Sequence, residues 1–195
     1  LLEGAVNDPE VNLLFLHKAA SSAERLNTLV NDLLEISKLE SGNLEMNFGA
    51  FDICELTKEV FDMYLAHAEK RGVHLKLKEG CDRPFMVLAD KNRIRQVLNN
   101  LIANAINYGK ENGLTTVGFY DMDKNILIEV ADNGDGIETE HLPRLFERFY
   151  RTDRSRSRNS GGTGLGLSIV KGFVEAQNGK ITLENREERS EEHTS

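Results

Sequence analysis

Cysteine is scarce in this 195-residue sequence, and the two that occur, Cys54 and Cys81, stand in no metal-binding or redox spacing. Each reads as a small core residue in a chain suited to a reducing compartment. Long apolar runs are also missing. The longest, Leu13-Leu14-Phe15-Leu16, is far too short to cross a bilayer, and no signal peptide is visible. Basic charge is in deficit, and a net charge of -8 argues against general affinity for nucleic acid or an anionic membrane. An initiating Met is lacking, so the chain, which opens on Leu1 and Leu2, reads as an excised piece of a longer one. What is present, 39% hydrophobic and 29% charged, describes a soluble globular chain with room for one full domain and a helical appendage.

The stretch around which the rest is organised runs over residues 90–109, DKNRIRQVLNNLIANAINYG. Asp90 is a good N-cap, and Ile94, Val97, Leu98, Leu101 and Ala105 recur at helical spacing, which predicts an amphipathic helix. Asn100, Asn104 and Asn107 fall at i, i+4 and i+7, so three amides share one strip beside the apolar face. Asparagine is a mediocre helix former because its side chain competes with the backbone. The strip is either a tolerated run of Asn or a row of neutral oxygen ligands aimed at a hard cation and a polyanion. The glycine-rich stretches downstream bear on that choice.

Before this helix, Asp8 and Pro9 form a helix start, and residues 8–41 carry a long helical pattern with a seam of Leu26, Leu29, Val30, Leu33 and Ile36. The seam requires cover, from the downstream domain or, as favoured here, from a partner helix in a bundle. Gly42 ends the helix. Residues 44–51 read as a strand, and Asp52 with Glu55 as a capping box for a helix reaching about Lys70. Residues 73–78 and 84–89 read as short strands. Residues 115–120 and 126–131 flank a hairpin turn at 122–125, a helix spans 166–178, and residues 180–184 begin another strand. Strands and helices alternate without a regular βαβ rhythm. The expected fold class is therefore α+β, a two-layer α/β sandwich with a mixed sheet on one side and helices on the other, preceded by the long helix.

Two loops carry the chemistry. Ala131-Asp132-Asn133-Gly134-Asp135-Gly136-Ile137 follows a strand, and its two glycines let the backbone turn tightly and approach a flat ligand. Asp132 is placed to accept from an exocyclic amine such as that of adenine. A calcium loop is disfavoured because the ligand ladder ending in Glu is absent. The second loop, Gly161-Gly162-Thr163-Gly164-Leu165-Gly166-Leu167, opens the last helix, where backbone N–H groups suit phosphates. It is neither a Walker A loop nor Gly-x-Gly-x-x-Gly. Leu165 and Leu167 should anchor it, against the alternative of a flexible hinge. Between the loops, residues 138–160 hold Phe146, Phe149, Tyr150 and an arginine-rich run, the pattern of a lid. Arg154, Arg156 and Arg158 read as a solvated face. Arg151, beside the aromatic anchor, is the candidate for reaching a terminal phosphate.

Together these motifs resemble one family. QVLNNLIANAINYG is similar to the N box, DNGDGI to the G1 box, LFERFYR to the F box and GGTGLGL to the G2 box of bacterial sensor histidine kinases. NDLLEISKLESGNLE resembles the second helix of the family's dimerisation domain, and the whole looks closest to the phosphate-sensing type. The resemblance implies a Bergerat-fold site for ATP and Mg²⁺. Asp132, with Gly134, Gly136 and Ile137, would meet the adenine. Asn104 would hold Mg²⁺, with Asn100 and Tyr108 on the phosphates. Phe149 and the residues Gly162, Thr163, Gly164, Leu165, Gly166 and Leu167 would close the lid, and Arg151 would face the γ-phosphate. Asn100 and Arg151 are the residues it assigns to catalysis. It further implies residues 1–42 as a partial dimerisation region lacking its phosphoacceptor helix, and 43–188 as the catalytic ATP-binding domain. Residues 189–195 read as a non-native tail, similar to a translated sequencing adapter. The implied setting is a cytoplasmic region, anchored to a membrane only by parts outside this sequence. Its partners would be a second copy, through the N-terminal helix, and a response regulator receiver domain, with no nucleic acid.

The sequence departs from the family at three places. Asn107 stands where many members carry a phosphate-binding Lys. The chain also lacks the further strand, after a Gly-rich turn, with which the family's domain usually ends. None of the histidines, His17, His67, His74, His141 and His193, precedes a carboxylate, so the phosphoacceptor motif is missing. The wider superfamily of gyrase, the Hsp90 chaperones and MutL is similar too, but its members hold a water-activating Glu one turn before the Mg²⁺ Asn. Here that position is Asn100, which cannot act as a base. A nucleotide-binding or dimerisation module without catalysis is the third reading.

Overall fold

The computed structural model of the chain describes residues 9–42, 44–152 and 162–185. Asp8, Arg154, Arg156, Arg158 and Gly161, and the tail 189–195, lie outside the described residues. Helix α1 covers Pro9–Glu40, 32 residues, or about 48 Å at the usual helical rise. Along most of that length its apolar side chains face water: Leu13, Leu14, Phe15, Leu16, Leu26, Val30, Leu33 and Leu34 are all exposed. Ile36 is the buried member of the expected seam, and it packs on the domain that follows. The last turns of α1 thus dock downstream, because Ile36 and Leu39 meet an apolar helix there, while the upper seam stays bare.

The remaining elements are β1 (Phe48–Asp52), α2 (Ile53–Lys70), β2 (His74–Leu77), β3 (Met86–Asp90), α3 (Lys91–Tyr108), β4 (Leu114–Met122), β5 (Asn125–Asp132), a 3-10 turn (Leu142–Arg144) and α4 (Gly166–Ala176). β1 and β3 form an antiparallel pair in which Phe48 lies opposite Asp90. β2 runs parallel to β4, and β4 antiparallel to β5, giving a mixed three-stranded sheet. The hairpin turn is tighter than expected. Met122 pairs with Asn125, and Asp123 takes a φ of 67°, its N–H held by Asp121 Oδ1 at 3.0 Å. The α+β two-layer architecture is as expected.

Helix α3 is central because it is apolar on two sides. Leu98, Ile102 and Ile106, spaced by four and fully buried, join Leu56 and Val60 of α2 and Val117 and Phe119 of β4 in the main core. Each such side chain contributes about 1.5–3 kcal/mol through burial. Val97 and Leu101 instead meet Leu165, Ile169, Val170 and Phe173 at α4, with Ile36 from α1 completing that second cluster. The amide strip is what remains of the helix surface. Asp90 sets the start of α3. Buried at 4% exposure, its Oδ1 accepts from Asn92 N and Arg93 N and its Oδ2 from Asn47 N, while its own N–H donates to Gln177 Oε1 beyond α4.

Two expected strands differ. The first begins at Phe48 rather than at residue 44, because Leu44 packs against the second cluster. Residues 180–184 form no strand among the described residues. Ile181 is drawn to the second cluster and the Asn185 side chain bonds Ile137, so side-chain anchors hold this segment in place of a ladder.

Candidate functional site

The site grows from the C-terminal half of α3. Asn100 Nδ2 donates to Gln96 O at 3.1 Å, which turns its oxygen toward the start of α4. A Cβ built on Gly166 would lie 2.7 Å from Asn100 Oδ1, so glycine is what lets α4 begin against the amide strip. Asn104 and Asn107 are half-buried on the next turns. Tyr108 ends the helix with its side chain 57% exposed, ahead of the C-cap Gly109.

The loop after β5 folds onto this helix end. Asp132 Oδ1 accepts from Gly134 N at 2.8 Å, and Asn133 Oδ1 from Leu114 N at 2.9 Å, stitching the loop to the start of β4. A Cβ on Gly134 would lie 2.6 Å from Asp132 Oδ1, 3.0 Å from Tyr108 O and 3.2 Å from Gly109 Cα. Two backbones therefore touch here, which only glycine permits. Asp132 is itself exposed. Ile137, at the far end of the loop, exchanges hydrogen bonds with the Asn185 amide, donating to Oδ1 at 2.9 Å and accepting from Nδ2 at 2.5 Å.

The lid residues close the third side. Phe149 N donates to Gly164 O at 2.8 Å, and a Cβ on Gly164, at φ +75°, would stand 2.9 Å from the Phe149 backbone. Phe149 itself adopts φ 62°. A bulky residue in the left-handed region costs on the order of 1–3 kcal/mol and persists where neighbours over-determine it. Arg151 Nη1 donates to Gly162 O. A Cβ on Gly162 would fall 3.4 Å from Tyr108 Oη and 3.6 Å from Arg151 Nη2, so these three converge. Leu165 is fully buried and Leu167 partly so, the anchoring expected of them. At the lid base, His141 Nδ1 and Tyr150 Oη lie 2.7 Å apart, and the Arg144 guanidinium sits 4.2 Å over the Tyr150 ring.

Tyr108 thus joins the two loops, its carbonyl against Gly134 and its hydroxyl facing Gly162 and Arg151. Asn100 is joined to Gly166. Among the described residues Asn104 is linked to the others only through α3, and no hydrogen bond ties Asp132 to the lid. A further set of contacts reaches the site from α1. Asp32 Oδ2 accepts from Thr163 Oγ1 at 2.8 Å, Glu35 Oε2 from Arg93 at 2.8 Å, and Glu40 Oε1 from Arg148 at 2.5 Å. Nothing local marks these acids in the sequence, since a carboxylate on a helix face is ordinarily solvated. Burial pushes the Asp32 carboxyl up from its ordinary range, against the Thr163 bond, which lowers it. At Asp90 burial also raises the carboxyl, but the N–H bonds from Asn47, Arg93 and Asn92 and the Arg93 charge together hold it below the ordinary range.

Comparison with known proteins bears on what this arrangement of glycine loops and amide strip belongs to. The family model described as Histidine kinase-, DNA gyrase B-, and HSP90-like ATPase matches residues 89–194. The sensor histidine kinase WalK of Bacillus subtilis is 35% identical over 96% of this chain, which spans 31% of WalK. The structure of the histidine kinase ThkA in complex with the response regulator protein TrrA is similar with a TM-score of 0.74 and 30% identity, over 95% of this chain and 51% of that one. Full-length ShkA in complex with AMPPNP is similar with a TM-score of 0.70 and 28% identity, over 84% of this chain and 34% of that one. The chain belongs to the histidine kinase-, DNA gyrase B- and HSP90-like ATPases, as a homologue of the catalytic region of sensor histidine kinases.

Proposed function

We propose that this chain binds Mg-ATP and, within the longer protein of which it is a part, transfers the γ-phosphate to a histidine for relay to a response regulator. The observation that carries this is the meeting at Tyr108 of the Asp132–Gly136 loop with Arg151 and Gly162. One end of that arrangement presents a carboxylate acceptor to an amine, and the other presents a guanidinium and a helix N-terminus to an anion. Asp132 accepts from the adenine amine, while Gly134, Gly136 and Ile137 form the wall the base lies against. The amides of Gly162 to Leu167 and the Tyr108 hydroxyl hold phosphate oxygens, with Phe149 covering the lid. Asn104 offers a neutral hard oxygen that fits Mg²⁺, which would neutralise charge on the β- and γ-phosphates.

Phosphoryl transfer asks a protein mainly to position and to stabilise charge. Arg151 faces the γ-phosphate as the bond to the β-phosphate oxygen breaks and an imidazole nitrogen forms the new bond to phosphorus. Asn100 orients the glycine stretch and, being an amide, activates no water, so hydrolysis is a minor outcome. Asn107 adds no positive charge and leaves Arg151 as the main cation for the phosphates. Residues 1–42 belong to a partial dimerisation region in which α1 is the second helix of a bundle, which the bare seam of Leu26, Val30 and Leu33 supports. Residues 43–188 are the catalytic domain, in the cytoplasmic part of a membrane-anchored kinase; no described helix is long and apolar enough to cross a membrane.

Incubation with γ-labelled ATP, alone and with a separate dimerisation domain bearing an intact acceptor histidine, tests this. His17 is exposed on α1 and followed by Lys18, so the chain should bind Mg-ATP, leave itself unlabelled and label the offered domain slowly and acid-labily. Label on His17 would overturn the assignment of α1. ATP binding without transfer to any offered domain would favour a binding module.

A further inference from the structure

Thr163 is claimed from two sides. Its hydroxyl hydrogen goes to Asp32 Oδ2 on α1 at 2.8 Å, and its oxygen accepts from Leu165 N at 3.2 Å, one residue before α4 begins. The carboxylate on α1 thereby orients the hydroxyl, and the hydroxyl orients the amide that leads into the helix. The same face of α1 carries Glu35, Ile36, Leu39 and Glu40. Leu39 packs so close to α4 that a Cβ on Gly172 would lie 2.6 Å from its Cδ1. Glu40 holds Arg148 while Asp32 holds Thr163. A hydroxyl has one hydrogen to donate. While it points at Asp32 it cannot also be given to a phosphate oxygen. Glu35 and Glu40 are paired with Arg93 and Arg148, so it is the Asp32 carboxylate that also repels a polyphosphate nearby.

We propose that Asp32 is a positioning residue for the glycine stretch, and that α1 and nucleotide phosphate compete for the Thr163 hydroxyl. Seating of α1 sets the first turn of the stretch and lowers nucleotide affinity. Bound nucleotide loosens the end of α1 by the same factor, since linkage between two sites is reciprocal. A helix that rotates or shifts in the longer protein would thereby reach the nucleotide site without touching it. The competition rests on the reading of Thr163 as a phosphate ligand; the positioning does not.

Two measurements on the whole chain separate these parts. In the first, amide hydrogen exchange without nucleotide compares the natural chain with Asp32→Ala and Thr163→Ser. Asp32→Ala should speed exchange at Leu165, and Thr163→Ser, which keeps the hydroxyl, should not. Unchanged exchange at Leu165 in Asp32→Ala would overturn the positioning role. In the second, a fluorescent ATP analogue with Mg²⁺ is titrated into the natural chain, Asp32→Ala, Asp32→Asn and Thr163→Val. Asp32→Ala should bind about 3- to 10-fold tighter, as expected for release of one hydrogen bond. Asp32→Asn, which keeps an acceptor but no charge, should lie between, and Thr163→Val should bind more weakly than the natural chain. Nucleotide should also speed exchange over residues 32–40 in the natural chain. Equal or weaker binding by Asp32→Ala would overturn the competition. Absence of binding by every form would overturn the nucleotide reading and the competition with it, while the first measurement still decides the positioning.

Discussion

At the scale of single residues, the two oxygens of Asp132 have different tasks. Oδ1 accepts from Gly134 N and shapes the loop, and Oδ2 is the oxygen proposed to meet the adenine amine. Asp132→Asn can keep the first bond while presenting an amide to the adenine amine. Losing a charge-assisted hydrogen bond costs on the order of 1.5–3 kcal/mol, so affinity for a fluorescent ATP analogue should fall roughly ten- to a hundredfold. Unchanged affinity would refute the adenine assignment. Asn104→Asp should change the Mg²⁺ dependence of ATP binding more than it changes ADP binding without metal, both followed by titration calorimetry. A defect independent of Mg²⁺ would make Asn104 structural. Asp90 governs folding instead. Its carboxyl sits below the ordinary range in the folded chain, so the stability it contributes is present above that range and fades as pH falls through the lowered value. Asp32 has the opposite sign: raised by burial, it favours the fold below the ordinary aspartate range and loses that contribution as pH rises through its raised value. Asp90→Ala removes a cap and orphans Asn47 N, costing about 2–4 kcal/mol, read as a lower urea midpoint at unchanged slope. It should also reduce the loss of stability on acidification.

Among the elements, α3 does most of the organising. It presents Leu98, Ile102 and Ile106 to the sheet, Val97 and Leu101 to α4, and the amides to the site. The lid depends on a different kind of contact, a pairing of two residues with positive φ. Gly164→Ala would place a methyl carbon 2.9 Å from the Phe149 backbone and impose a φ of +75° on alanine. The local cost is about 1–3 kcal/mol. Because this pair lies outside the main core, the global urea midpoint should hold while exchange at Phe149 quickens and nucleotide affinity drops. A fall in the global midpoint with nucleotide affinity intact would show that the lid belongs to the folding core and not to the site.

For the molecule as a whole, α1 is divided between two loyalties. Its last turns are committed to the catalytic domain through Ile36, Leu39 and three acids, whereas Leu26, Val30 and Leu33 remain bare higher up. Such a stripe on a helix of this length suits association, as proposed for the dimerisation region. Sedimentation should therefore show concentration-dependent dimers, and Val30→Glu should leave monomers with an unchanged ATP affinity. Monomers at every concentration in the natural chain would assign the stripe to a segment of the longer protein instead.

Much of this was legible in the residues themselves, because the signals are local. Apolar spacing of three and four marked α3, a capping box marked α2, a turn at residues 122–125 marked β4 and β5, and glycines bracketing Asp132 and opening α4 marked the two glycine-rich loops. Such patterns report backbone conformation within a few residues, and here they agree with one another. The failures came where a long-range partner settled the outcome. Residues 180–184 carry a strand pattern, yet a strand exists only if a neighbouring edge completes its ladder, and side chains reaching Ile137 and the α4 cluster hold the segment instead. Ile36 fits a bundle seam equally well as it fits α4, since an apolar side chain has no directional preference and goes to the nearest surface that excludes water. Asp32 gave no sign of its tie to Thr163, 131 residues onward, because a carboxylate on a helix face is ordinarily solvated. Only the folding of α4 against the end of α1 brings that hydroxyl within 2.8 Å of it.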